Sequence, residues 1–599
     1  MSISLSTLSV SARKVATVVA LAGSLTVMAT EAVFQEVRYV LDDVFFTAEV
    51  GSNPKVSGEL IIPEQITVGQ DKYTVIAISD NAFKGCKNLK NIVLPKTLER
   101  VYRSAFEGTG IMADKEKWVE GTLWIDSVLI ATDKTIKPRY EVPANTRIIA
   151  AGAFRGNKTV TRVELPANLK RIDHETFRDC KNLEKVEIPA SVTSIGEDAF
   201  TGSGVWLNEN KWKHGALFID DCLVATNDEV PAKFVFKTKT PVRLIAERAF
   251  ANRKGLTSIT LPNSITFIPT AAFYQCENLA EVIIPTSVTD VQNFAFYGCT
   301  MLRVATLPKE LTHLGMGAFY GCCNLRDQVL SDNLTVIEQG TFFKCNSIKH
   351  LQLPAHLRRI DNGAFAGCAS MEEFKLPETL EFIGEMAFAG CAIIRELTIP
   401  EKINSLPKQM CQGCSRLYRV NLPEGLYAVG DGAFESCLSL ERVFLPKTTF
   451  RIGDNAFRNC QQLPTIYLED HIHVLGNGAF AECKMMEEIR LPESLEELQA
   501  NVFSQCLNLH GVVFNKKLKA IGPGAFAHCR NLREVQLNNG LEVIDDNAFY
   551  GCKNLRRVSY PVTLQKIGNG AFQNCESLKQ PEFPSNVKIG KNAYKGTKK

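Results

Sequence analysis

Phenylalanine recurs every 23 residues from Phe273 to Phe572, with one substitution, Cys411. Phe434, Phe457, Phe480, Phe503, Phe526 and Phe549 mark the middle of that run. Further back the anchors continue at Phe83 and Phe106, at Phe154, Phe177 and Phe200, and at Phe250, with two wider gaps. A fixed period of about 20–29 residues builds a solenoid of stacked coils, not a globule around one core.

One period, Leu422 to Pro446, shows how a coil works. Its apolar positions are Leu422, Leu426, Val429, Ala433, Phe434, Cys437, Leu440, Val443 and Leu445. Val443 and Leu445 alternate with Phe444, which predicts a short strand with Phe444 facing out. Pro446 ends that strand because proline lacks a ladder donor. Gly430 is expected to supply a turn of positive φ, and Ala433 to let the backbone approach the Phe434 ring. Alone, a coil cannot bury its apolar face. Stacked at ~4.8 Å, about 20 coils give an arc on the order of 100 Å long with a parallel sheet on one face.

The 19 cysteines suggest chemistry until they are placed on the repeat. All but Cys222, Cys323 and Cys411 sit three residues after an anchor position. One thiol per coil at one phase is a column in the core, where cysteine acts as a small hydrophobe. Side chains on parallel coils point the same way and are poorly aimed for disulfides. With 45% hydrophobic and 22% charged residues the chain is not wholesale disordered. A formal net charge of +3 gives no electrostatic case for nucleic acid. The lysines at 591, 595, 598 and 599 read as a solvated tail.

In chain order, residues 1–32 read as an export signal: Arg13 and Lys14, then the apolar run Val15 to Ala29. The run is short for a membrane span and suits a signal peptide cut after Ala29 or Ala32, an uncleaved anchor being the alternative. Residues 33–80 read as a β-rich N-terminal cap that covers the first coil's open edge. Residues 81–250 hold coils with two similar insertions, about 108–135 and 202–230. Each carries a tryptophan, Trp118 or Trp212, three residues before a glycine and an alternating apolar run, as in an added hairpin. Both tryptophans are expected to pack the hairpin. Residues 251–599 are uninterrupted coils ending in a degenerate one, with Tyr594 at the anchor position.

The unit Leu-Pro-x-x-Leu-x-x-Ile-Gly-x-x-Ala-Phe-x-Gly-Cys-x-x-Leu-x-x-Val is matched nearly throughout by Leu380–Cys391 and Leu541–Cys552. It resembles the 23-residue leucine-rich repeat of BspA-like surface proteins, over residues 60–597. The resemblance implies a leucine-rich-repeat solenoid, exported or displayed at the cell surface, that adheres to host matrix proteins or other cells. It implies no catalytic residues and no cofactor. No wall or lipid anchor is evident, which leaves the mode of attachment open.

Catalytic sets are not evident. His471 and His473 are the densest histidine pair but lack a further ligand. Cys411-x-x-Cys414 has redox spacing, yet Cys414 belongs to the column and Cys411 replaces an anchor. No phosphate-binding or nucleophile-elbow motif stands in a suitable context. The sequons at Asn157 and Asn333 matter only in a eukaryotic secretory route. The chain therefore reads as a non-enzyme whose partners are proteins. Its natural binding surface is the outward ladder, where Phe444, Tyr467 and Arg490 follow one another at the 23-residue spacing. Arg442, Arg419 and Tyr418 lie beside them. Two readings fit: residues stacked on a solvated sheet, or a protein-binding patch of aromatic and arginine anchors. Self-association as an envelope component is the alternative to adhesion.

Overall fold

The same residue type at the same phase of each coil means that stacking in register pairs like with like. The computed structural model describes residues 15–20, 26–42, 46–372, 374–579, 581–583 and 586–598. It divides into two units, one of residues 1–230 with 238–249 and one of residues 231–237 with 250–599.

In the larger unit each coil adds short strands to parallel ladders. Glu396–Thr398, Arg419–Asn421 and Arg442–Val443 pair in sequence, with Leu397, Val420 and Val443 in register one period apart. The central residue of each points inward and its neighbours outward, as the alternation of the unit requires. A second, narrower ladder joins Ser405–Leu406, Ala428–Val429, Arg451–Ile452 and Val474–Leu475.

Between the ladders run the anchor rings, fully buried. Phe434 and Phe457 stack with centroids 5.3 Å apart, as do Phe457 and Phe480. The Phe434 amide donates to the carbonyl of Ala456 in the next coil at 2.8 Å. Tyr594 closes the series. It stacks on Phe572 at 5.2 Å, and its hydroxyl meets that of Tyr560 at 3.1 Å.

Two features of the coil depart from the sequence expectation. The left-handed glycine is Gly432, at φ 61°, not Gly430. Asn455, Asn501 and Asn547 adopt the same conformation at that phase, a role asparagine tolerates better than most residues. Gly430 instead makes room, because a Cβ there would lie 2.5 Å from the Leu406 carbonyl oxygen. The column cysteines also do more than fill space. Cys460 Sγ donates to the Phe434 carbonyl at 3.2 Å, and Cys483 Sγ to that of Phe457 at 3.2 Å. The Phe434 carbonyl also accepts the Cys437 amide at 3.1 Å, so both its lone pairs are used. All 19 cysteines are free thiols.

The smaller unit begins with a cap sheet. Val37–Asp42 pairs antiparallel with Thr26–Phe34 and Thr47–Val50, and Val15–Ala20 pairs with Thr26–Phe34. Thr47–Val50 runs parallel to Asp71–Ile78, which pairs in turn with Arg100–Val101 of the first coils. The cap therefore continues into a coil ladder and leaves no open edge there. Of the export-signal reading, residues 1–14, with Arg13 and Lys14, and residues 21–25 lie outside the described residues.

Each insertion is an antiparallel meander. Trp118–Val119, Thr122–Ile125 and Val128–Thr132 form the first, and its last strand runs parallel to Ile148–Ile149. Trp212–Lys213, Ala216–Ile219 and Cys222–Thr226 form the second, beside Leu244–Ile245. Trp118 Nε1 donates to the Met112 carbonyl at 3.1 Å and Trp212 Nε1 to that of Trp206 at 2.8 Å. Both indoles satisfy the end of a one-turn helix and are packing residues. After each insertion an arginine reaches back to a turn about fifty residues earlier. Arg147 binds the carbonyls of Lys96 and Leu98, and Arg243 those of Ala190 and Val192.

Candidate protein-binding face

The six residues singled out from the sequence lie on or beside the wider ladder, over four successive coils. Phe444 is 69% and Tyr467 74% exposed. An apolar side chain at this position stabilises nothing inside the coil, so its exposure calls for another account. Phe444 and Tyr467 make no ring contact with each other. On the second ladder, by contrast, Tyr427 stacks on Phe450 at 5.2 Å and Phe450 on His473 at 4.6 Å.

Pro464 removes one donor from the ladder between Phe444 and Tyr467. Glu441 donates to the Tyr418 carbonyl at the equivalent position, and a proline has no hydrogen to give. Among the described residues the stretch 464–468 forms no strand, and the ladder resumes at Glu488–Arg490 paired with Gly511–Val513. Ring stacking thus occurs on the Tyr427 column and not between Phe444 and Tyr467.

The other four residues differ in availability. Arg419 and Arg442 are in register on adjacent strands, an unfavourable like-charge pair. Arg419 Nε relieves part of this by donating to Asn421 Oδ1 at 3.1 Å. Arg442 makes no ion pair among the described residues and stays exposed. Tyr418 is half-buried, and its hydroxyl donates to the Glu396 carboxylate, which holds the phenol above its usual range. Arg490 lies 3.9 Å from Asp470 and 3.6 Å from Glu493. Free contact capacity is concentrated in Phe444, Tyr467 and Arg442.

A groove of about 700 Å³ opens beside Tyr467 and runs past Arg490 and Val513 to Gln536. Its acidic lining was not read from the sequence. A clue was Glu469, which stands where most coils carry the proline after the strand.

The remaining motifs resolve as packing. His473 Nδ1 is 2.8 Å from the His471 carbonyl, with its ring on Phe450. Cys411 and Cys414 are both buried free thiols, and the hydrogen bond with Cys414, then burial, push the Cys411 thiol well up. Among the described residues no group of three His, Cys, Asp or Glu side chains is placed to hold a metal, and no helix is long and apolar enough to cross a membrane.

Parallel ladders, a stacked phenylalanine core and a fixed 23-residue register define a leucine-rich-repeat solenoid. The profile of the BspA type leucine rich repeat region matches in 6 copies, over residues 64–114, 137–209, 234–349, 335–464 and 473–599. The chain belongs to the BspA-type leucine-rich repeat family.

Among solved structures, a leucine-rich repeat protein from Bacteroides ovatus is 19% identical, covering 93% of this chain and 98% of its own, with a TM-score of 0.24. One from Eubacterium ventriosum is 20% identical over 62% of this chain and 94% of its own, at 0.36. A leucine rich cell surface protein from Faecalibacterium prausnitzii is 17% identical over 95% and 96%, at 0.18. At such scores these likenesses carry no argument of their own. No curated protein matches the chain significantly.

Proposed function

We propose that this is an exported or surface-displayed repeat protein that binds host matrix or cell-surface proteins through the outward ladder around Phe444 and Tyr467. The observation that carries the reading is the pair of aromatic rings, 69% and 74% exposed on successive coils, with no ring partner between them. Exposed aromatics beside an unpaired arginine, Arg442, have the composition of interface hot spots. The family supports a binding role over a catalytic one, since leucine-rich repeats commonly recognise proteins along a ladder face. Export rests on the basic pair Arg13–Lys14 followed by a short apolar run.

The test is capture of purified matrix and cell-surface proteins by the immobilised full chain and by its Phe444→Ser/Tyr467→Ser variant. Loss of two hot-spot rings is expected to cost at least about 2 kcal/mol, about thirtyfold in affinity. Equal affinity for the two proteins sinks the reading. Self-association in light scattering that the variant abolishes, with no other protein captured, replaces adhesion by an envelope-assembly role.

A further inference from the structure

Past Phe444 the outward face changes sign. The groove beside Tyr467 is lined by the carboxylates of Glu469, Asp470, Glu487, Glu488 and Glu534. Arg490 is the one guanidinium lining it, with Asp470 and Glu493 already beside that group, and Arg557 lies 3.6 Å from Glu534 at the far end, so Glu469, Glu487 and Glu488 carry the excess negative charge. His510 Nε2 stands 3.5 Å from Glu488. The walls are apolar as well as acidic: Tyr467 is 74% and Val513 59% exposed. Gly511 leaves the strand between Glu488 and Glu534 bare, and a Cβ there would meet the Glu488 side chain at 3.0 Å.

We propose that this groove receives an extended basic segment of a partner protein. This deepens the protein-binding reading and rests on it, because it names the chemistry of the partner at that face. Several carboxylates around one trough concentrate cations, and the excess of negative charge excludes acidic segments. The face of the Tyr467 ring attracts an ammonium or guanidinium group electrostatically and packs on its aliphatic stem. Val513 gives an apolar side chain of the same segment a place to bury. Thr465 to Gln536 spans three coil spacings, ~14 Å, so about five extended residues cross it.

The experiment is fluorescence anisotropy of the full chain with three short capped peptides, alternating Lys-Val, Ser-Val and Glu-Val. The Lys-Val peptide is expected to bind about tenfold tighter than Ser-Val at low salt, and Glu-Val not measurably. The preference contracts as salt rises, because the charges are exposed. Glu487→Gln/Glu488→Gln reduces the preference, and Tyr467→Ser weakens Lys-Val and Ser-Val alike. Equal binding of Lys-Val and Ser-Val, or a preference indifferent to Glu487→Gln/Glu488→Gln, overturns the inference. Capture of surface proteins through Phe444 and Tyr467 without a lysine preference refutes the basic segment and leaves the protein-binding reading standing. A lysine preference without such capture supports the groove's chemistry and refutes adhesion.

Discussion

The coil without a phenylalanine anchor offers a sharp test of how the core is held. Where neighbouring coils carry Ala387–Phe388 and Ala433–Phe434, this one carries Met410–Cys411, both buried at 0% and 1% exposure. Its backbone does not differ: Phe388 N–H donates to the Met410 carbonyl at 2.9 Å and Cys411 N–H to that of Ala433 at 2.8 Å. Cys437 Sγ still finds the carbonyl of the anchor position, at 3.2 Å. Methionine plus cysteine has nearly the volume of alanine plus phenylalanine, so the coil keeps its packing by exchange. Met410→Ala alone opens a cavity and should cost about 2–5 kcal/mol. Cys411→Phe alone overpacks the coil and should cost about 1–3 kcal/mol. The double variant restores the ordinary coil and sets a ring between Phe388 and Phe434, two aromatic pairs worth about 0.5–1.5 kcal/mol each. It should be at least as stable as the parent, with a coupling energy of about 3 kcal/mol or more from the sum of the single costs. Urea unfolding of the four proteins, followed by far-ultraviolet circular dichroism, measures the cycle. A double variant destabilised by the sum of the single effects, within about 0.5 kcal/mol, refutes volume exchange.

Two further outcomes follow from the buried groups. Burial pushes the column thiols up, to about 12 at Cys276, Cys368 and Cys506, and only thiolates alkylate. Iodoacetamide on the native protein should label Cys323, which is only partly buried, and mass spectrometry after unfolding should show all 19 labelled; native labelling of the column, or a shortfall after unfolding, counts against free packed thiols. His313 lies with Nδ1 2.6 Å from Asp290 and Nε2 2.9 Å from Glu338, and these bonds push it up to about 10. Its contribution is complete below about pH 6.5 and lost as pH rises toward about 10. The melting-temperature gap between the parent and His313→Gln should therefore shrink over that range, and a constant gap contradicts the ion triad.

The stack was legible because phase in the sequence is register in space: Val420 and Val443 are one period apart and pair directly. The same phase placed Phe444 and Tyr467 on one outward column. What the period does not carry is direction and exception. It puts Cys460 in the core without saying that its thiol turns to the Phe434 carbonyl. It marks Gly430 and Gly432 without telling which is left-handed, because crowding by the Leu406 carbonyl comes from the coil before. Pro464 was visible, but that it leaves one ladder donor missing beside Phe444 depends on which donor the neighbouring strand needs. The acidic groove escaped because outward positions follow no pattern, and only stacking collects Glu469, Glu488 and Glu534 around one trough.

Binding through the outward face at Phe444 and Tyr467 is read out by hydroxyl-radical footprinting of the full chain with a captured surface protein. Tyr427, 54% exposed beside the second ladder, serves as the internal reference. Protection of Phe444 and Tyr467 with Tyr427 unchanged is the predicted result. Protection of Tyr427 with Phe444 and Tyr467 still fully oxidised contradicts it.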